Sequence, residues 1–204
     1  MKRMMILLAL LMAAIVVFSG PVAEVLNLPE PTAEAKKKKK RYNVVKCPNQ
    51  TYDNYTCKGT AGKDRLVGGP ADRSPYGAHD QMYGKEGNDV YQGGNGRDIF
   101  TDESITSSDR YVFPSTEFSF DSTSSFTYAW VRDWGGSADV LDLASYRYDD
   151  FDRRNWLGQD LYLEGPEARD ILIEDFFTSN TIDYFKFSDR TVTAAEIKRE
   201  FSGG

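Results

Sequence analysis

Histidine is almost absent from this sequence: His79 is the only one in 204 residues. A zinc protease helix of the His-Glu-x-x-His kind is therefore excluded. A serine triad would have to use His79, and no Gly-x-Ser-x-Gly accompanies it. His79 reads as a loop residue. Cysteine is nearly as scarce, with Cys47 and Cys57 alone. Two readings of that pair are open. One is a disulfide closing a short loop in an oxidising compartment. The other is a metal pair, for which no further Cys exists. Basic residues number 25 against 31 acidic ones, and six of them sit in one run, Lys36 to Arg41. The rest of the chain is strongly acidic. Nucleic acid needs clustered Lys and Arg, so it is not an expected partner. A cation is. The apolar run Met4 to Phe18 spans 15 residues, short of the roughly 20 that cross a bilayer as a helix.

Aromatic residues are plentiful, with 12 Tyr, 12 Phe and 3 Trp. Such a chain can bury a core. The apolar run follows Lys2 and Arg3 and ends at Ser19-Gly20-Pro21. That pattern reads as a secretory signal peptide over residues 1–20. Residues 21–41 carry three Pro and the Lys run, and read as a linker. The Lys run is a solvated tether, or a contact to an anionic cell-envelope surface. Residues 42–113 hold the cysteine pair and a set of glycine-aspartate repeats. Residues 114–204 are rich in aromatic and β-branched residues.

The repeats are the strongest signal. Gly84-Lys-Glu-Gly87-Asn-Asp89-Val-Tyr91-Gln is followed by Gly93-Gly-Asn95-Gly96-Arg-Asp98-Ile-Phe100-Thr. Gly opens each nonapeptide and recurs at position 4. Asp stands at position 6 and a large apolar residue at position 8. Gly59-Thr-Ala-Gly62-Lys-Asp64-Arg-Leu66-Val fits the same frame. After an interruption the register returns at Asp80 and Met82, and a degenerate unit ends at Asp109-Arg-Tyr111. The Asp spacings are 16, 9, 9 and 11. A fixed period implies a repeated structural unit. Positions 7 to 9 form a short strand with position 8 inward, and positions 1 to 6 form a tight turn. Glycine there permits positive φ and close backbone approach. Such turns present carbonyl and carboxylate oxygens together, a donor set for a hard cation of loose geometry, Ca²⁺ rather than Mg²⁺. Two units per coil put Asp80 over Asp98, so a site is expected between loops 75–80 and 93–98. A second involves 84–89, and a third 59–64.

These units resemble the glycine-rich nonapeptide of the RTX, or hemolysin-type calcium-binding, family, whose pattern Gly93 to Thr101 matches in full. The resemblance implies an all-β fold: a parallel β-roll with Ca²⁺ held in its turns, then a β-rich C-terminal cap. The implied ligands are Asp64, Asp80, Asp89 and Asp98, extended to Asp109. Backbone oxygens would come from the loops around Gly59, Gly62, Gly84, Gly87, Gly93, Asn95 and Gly96. The Asp80 unit departs from the pattern, with Gly77-Ala78-His79 where position 4 should be Gly. "VRDWGGSADVLDL" and "ILIEDFFTSNTIDYFKFSDRTVTAAEI" are similar to the region that follows such repeats, with Asp189-Arg190 where the family has Asp-Gly.

Strands are expected at Phe126 to Val131, Val140 to Leu143, Leu161 to Leu163, Ile171 to Ile173 and Ile182 to Phe187. Thr193-Ala-Ala-Glu196 is a capping box that starts a short helix running to about Phe201. Trp130, Trp134 and Trp156 are read as core residues, with sugar stacking as the alternative. Asp150-Phe-Asp152 lacks the Gly and Glu of an EF-hand. Gly62-Lys63 is followed by Asp64, whose charge repels phosphate. The functional expectation is a secreted, non-catalytic protein that folds on binding Ca²⁺ outside the cell. The alternatives are an envelope-associated adhesive or structural protein with the roll as a stiffened spacer, and a carbohydrate-active enzyme. No protein partner is identifiable from the sequence.

Overall fold

A computed structural model describes residues 41–47, 55–69, 80–94, 98–114, 127–166, 169–179 and 181–202. The expected signal segment, nearly all of the linker, His79, Asn95 and Gly96 lie outside the described residues. The chain is all-β. Strands β1 (Asn43–Lys46), β3 (Asp64–Val67), β5 (Val90–Gln92), β7 (Arg110–Val112), β9 (Val140–Leu143), β13 (Tyr184–Phe187) and β14 (Thr191–Thr193) form one sheet in that order. Strands β2 (Tyr55–Lys58), β4 (Asp80–Tyr83), β6 (Asp98–Asp102), β8 (Thr127–Asp133), β12 (Arg169–Ile173), β11 (Asp160–Glu164) and β10 (Asp152–Trp156) form the other. Through β9 the chain alternates between the sheets, so each strand pairs in parallel with the strand after next. Among the described residues, antiparallel pairing is confined to β10–β11–β12 and β13–β14.

The position 8 residues explain why the two sheets face each other. Leu66, Tyr91, Tyr111, Leu141 and Phe185 are register partners across the first sheet, all fully buried. Met82, Phe100, Val131, Ile173 and Leu161 make the matching row in the second, also fully buried. Side chains alternate along a strand, so one inward residue per short strand suffices. Each such burial stabilises by about 1.5–3 kcal/mol. Tyr91 stacks on Tyr111 at 4.8 Å, and Phe100 meets Phe113 edge-on at 5.7 Å.

Both sheets run unbroken past residue 114. Strand β6 pairs with β8 and β7 with β9, within one compact unit, Lys40–Gly204. Sheet pairing thus crosses the boundary expected at 114, and the antiparallel pairs lie beyond it. Cys47 and Cys57 form a disulfide that ties the residue after β1 to β2, so the metal-pair reading falls. Helix α1 (Ala194–Glu200) starts at Thr193, whose hydroxyl and backbone are bridged to Glu196 as the capping box requires. Ile197 anchors it in the core. Two expectations fail. Ile182 precedes the strand that was to contain it, because Asp183 is held by Asp139. The tryptophans are not core: Trp130 is half-buried, and Trp134 and Trp156 are 65% and 49% exposed. Trp130 alternates outward between buried Ala129 and Val131, while Trp134 and Trp156 stand at strand ends.

Candidate functional site: an aspartate ladder

The turns that lead from the second sheet to the first stack upon one another. Each ends in an aspartate. The Asp64 N–H donates to Asp89 Oδ1 at 2.8 Å. The Asp89 N–H donates to Asp109 Oδ1 at 2.7 Å, and the Asp109 N–H to Asp139 Oδ1 at 2.8 Å. The Asp139 N–H then donates to Asp183 Oδ2 at 3.0 Å. Five aspartates on five successive turns thus form one hydrogen-bonded ladder. Asp64, Asp89, Asp109 and Asp139 are at most 1% exposed.

Only half of each inner carboxylate is used. Asp89 Oδ2, Asp109 Oδ2 and Asp139 Oδ2 are buried and have no hydrogen-bond partner among the described residues. At the ladder's start Asp64 Oδ2 accepts from the Thr60 N–H and hydroxyl, and Asp64 Oδ1 is the unpaired oxygen. None of the four forms an ion pair with a basic group among the described residues. A buried carboxylate without counter-charge is costly. The pKa values register that cost. Burial, opposed by the Asp64 N–H and helped by Asp109 and Asp64, raises Asp89 to about 7. Burial likewise raises Asp139 to about 7.

Glycine brings backbone oxygens to the same place. A Cβ on Gly59 would stand 2.5 Å from the Gly84 carbonyl oxygen and 2.8 Å from Asp64 Oδ2. One on Gly87, where φ is +112°, would stand 2.5 Å from the Gly62 carbonyl oxygen. One on Gly136 would collide with the Ser107 carbonyl oxygen and lie 2.8 Å from Asp139 Oδ2. Glycine thus lets a backbone carbonyl of a neighbouring turn come close at all three positions, and at Gly136 the unpaired Asp139 Oδ2 lies beside it. The donor set is oxygen only, which fits a hard cation such as Ca²⁺ and not a soft metal. Two more acids lie beneath it. Asp102 and Asp133 are register partners at the ends of β6 and β8. Burial first, then neighbouring aspartates, raises them to about 9 and about 8. Tyr111 donates to Asp133 Oδ2 at 3.0 Å and Tyr91 to Asp102 Oδ1 at 3.4 Å.

Asp80 and Asp98 occupy the opposite edge, at the starts of β4 and β6. The Gly69 N–H donates to Asp80 Oδ2 at 3.0 Å. Glycine again permits the stacking: a Cβ on Gly68 or Gly93 would meet Asp80 Oδ2 or Asp98 Oδ2. This row stops early, because the residue paired with Asp98 on β8 is Ala129. The site expected between loops 75–80 and 93–98 draws on residues 75–79 and 95–97, which lie outside the described residues. Asp80 also lies close to Cys47 and Cys57, but their sulfurs are spent on the disulfide.

The structure stacks Asp64 on Asp89, 25 residues on. The interruption after Gly69 accounts for that long step. Asp139 and Asp183 were missed altogether. Both carry the offset seen in every unit, an Asp two residues before the inward apolar residue: Asp139 with Leu141, Asp183 with Phe185. Gly135-Gly136 before Asp139 was a further signal. No protein-family model matches the chain, and no curated protein matches it.

Proposed function

We propose that this chain is a calcium-binding parallel β-roll of the RTX type, without catalytic activity, that acquires its fold when Ca²⁺ enters the stacked turns outside the cell. The observation that carries this reading is the row Asp64, Asp89, Asp109 and Asp139. Each has one oxygen fixed by a backbone or turn donor, and the other buried and unpaired. Ions held by these aspartates with the Gly59, Gly62, Gly84 and Ser107 carbonyl region would neutralise a row of like charges. The bound ion supplies the counter-charge, and its binding energy becomes folding energy. The residues of the chain do the rest: glycine lets the turns approach, and the inward aromatic row fixes their spacing. The N-terminal apolar run supports export, and calcium is abundant on that side of the membrane. A second reading, an envelope-associated protein with the roll as a stiffened spacer, is favoured by the exposed Trp134 and Trp156.

Equilibrium dialysis with radioactive calcium tests the proposal, with magnesium as competitor. Saturable binding of more than one calcium ion, resistant to magnesium and reduced in Asp109→Asn, is expected. Absence of saturable calcium binding by the folded chain would overturn it.

A further inference from the structure

Three adjacent strands of the second sheet share a cavity on the face turned away from the core. Cys57, Met82 and Phe100 point inward from β2, β4 and β6. Their next neighbours Lys58, Tyr83 and Thr101 are register partners and point outward. The two-residue period puts Thr56 on the same face, and Lys85 and Glu103 follow in the turns after β4 and β6. Among the described residues these six line a cavity of about 450 Å³. That size suits a small molecule and far exceeds a bare tetrahedral ion.

The lining is unusual for this chain. The protein carries a formal charge of −6, yet here two ammonium groups face one carboxylate. Neither Lys58 nor Lys85 is engaged in an ion pair among the described residues. Thr101 is 7% exposed and still reaches the cavity. The Tyr83 hydroxyl donates to Gln81 at 3.4 Å, which steadies its ring. Lys85 is held at φ 76°, a left-handed backbone that favours glycine. The turn around it has glycine at 84 and 87 and lysine at 85. Lys85 thus lines the cavity from a constrained backbone position and forms no ion pair among the described residues.

We propose that this cavity binds a small polyhydroxylated anion, a sugar acid or a sugar phosphate. The ammonium groups of Lys58 and Lys85 would meet the anionic group. The hydroxyls of Thr56 and Thr101 and the Glu103 carboxylate would meet the ligand's hydroxyls. The Tyr83 ring offers an apolar face for sugar C–H groups. The inference does not rest on the cation reading.

Isothermal titration calorimetry on the full chain in calcium-containing buffer tests it. The probes are glucuronate, glucose 6-phosphate, glucose and inorganic phosphate. Circular dichroism in the same buffer confirms the fold, whatever its metal requirement. At least one sugar anion binds about tenfold or more tightly than glucose and than inorganic phosphate, and which one separates the two sources of the anion. Lys58→Gln and Lys85→Gly each weaken that binding about tenfold or more. Lys85→Gly also relieves the backbone, so its melting temperature holds or rises and loss of binding there is not loss of fold. The proposal is overturned if glucose binds as well as both anions, if inorganic phosphate matches them, or if Lys85→Gly binds like the parent.

Discussion

Asp139 accepts the backbone N–H of Asp109 through Oδ1 at 2.8 Å, while its Oδ2 is buried and meets no donor among the described residues. One carboxylate thus does two things. It ties a turn of the repeat region to a turn 30 residues later, and it presents an unbalanced negative oxygen in the interior.

Asp139→Asn separates these roles. The amide oxygen keeps the bond to Asp109, and the charge is gone. In chelator the variant is more stable than the parent, by about 1–3 kcal/mol, because a buried uncompensated charge has been removed. In calcium the order reverses. The β signal remaining in chelator and the denaturant midpoint in calcium check the crossover, with the exposed Asp149→Asn unchanged in both.

The pH dependence of the metal-free protein follows from the same carboxylates. Folding raises Asp89 and Asp139 to about 7, Asp133 to about 8 and Asp102 to about 9, chiefly through burial. The folded state therefore holds protons that the unfolded state has released. In chelator, stability is lowest above pH 9, rises as pH falls through 9 to 7, and levels near the unfolded carboxylate range of about 4. Calcium needs the deprotonated forms, so the stabilisation it adds shrinks below about pH 7. The far-UV β signal in chelator from pH 5 to 9, and urea midpoints in calcium over the same range, test both slopes.

Gly59→Ala and Gly158→Ala probe two different uses of glycine. A methyl at Gly59 would meet the Gly84 carbonyl and Asp64 Oδ2, whereas Gly158, at φ +81°, has open space around it. Overpacking costs about 1–3 kcal/mol at Gly59 and lowers calcium affinity. At Gly158 the cost is about 1 kcal/mol of backbone strain, and calcium affinity is unchanged. Thermal melts and calcium titrations distinguish them.

Replacing Cys47 and Cys57 together by Ala opens a crosslink between residues 10 apart. A loop of that size contributes about 2–3 kcal/mol. Denaturation shows the double variant less stable by that amount, and its calcium stoichiometry does not change, since neither cysteine belongs to the ladder.

Much of this architecture was legible in the sequence. The offset of two between Asp and an apolar residue placed Leu66, Met82, Tyr91, Phe100 and Tyr111 inward, and all five are fully buried. The capping box fixed the start of the helix at Thr193. The stacking order was not legible, because it depends on how many residues each coil spends outside the sheets. An interruption after Gly69 puts 25 residues between Asp64 and the Asp89 on which it stacks. The extension of the ladder to Asp139 and Asp183 was hidden by the loss of the nine-residue period, although pairing of β7 with β9 and of β9 with β13 restored the register in space. Trp134 and Trp156 were misjudged because hydrophobicity alone does not say which face of a sheet, or which end of a strand, a residue will occupy.

The most direct measurement is far-UV circular dichroism of the chain taken from chelator into increasing calcium, with magnesium in parallel. The account expects little β signal in chelator at neutral pH, and a cooperative rise with calcium that magnesium does not reproduce and that Asp89→Ala weakens. A spectrum fully β in chelator at neutral pH and indifferent to calcium would contradict it.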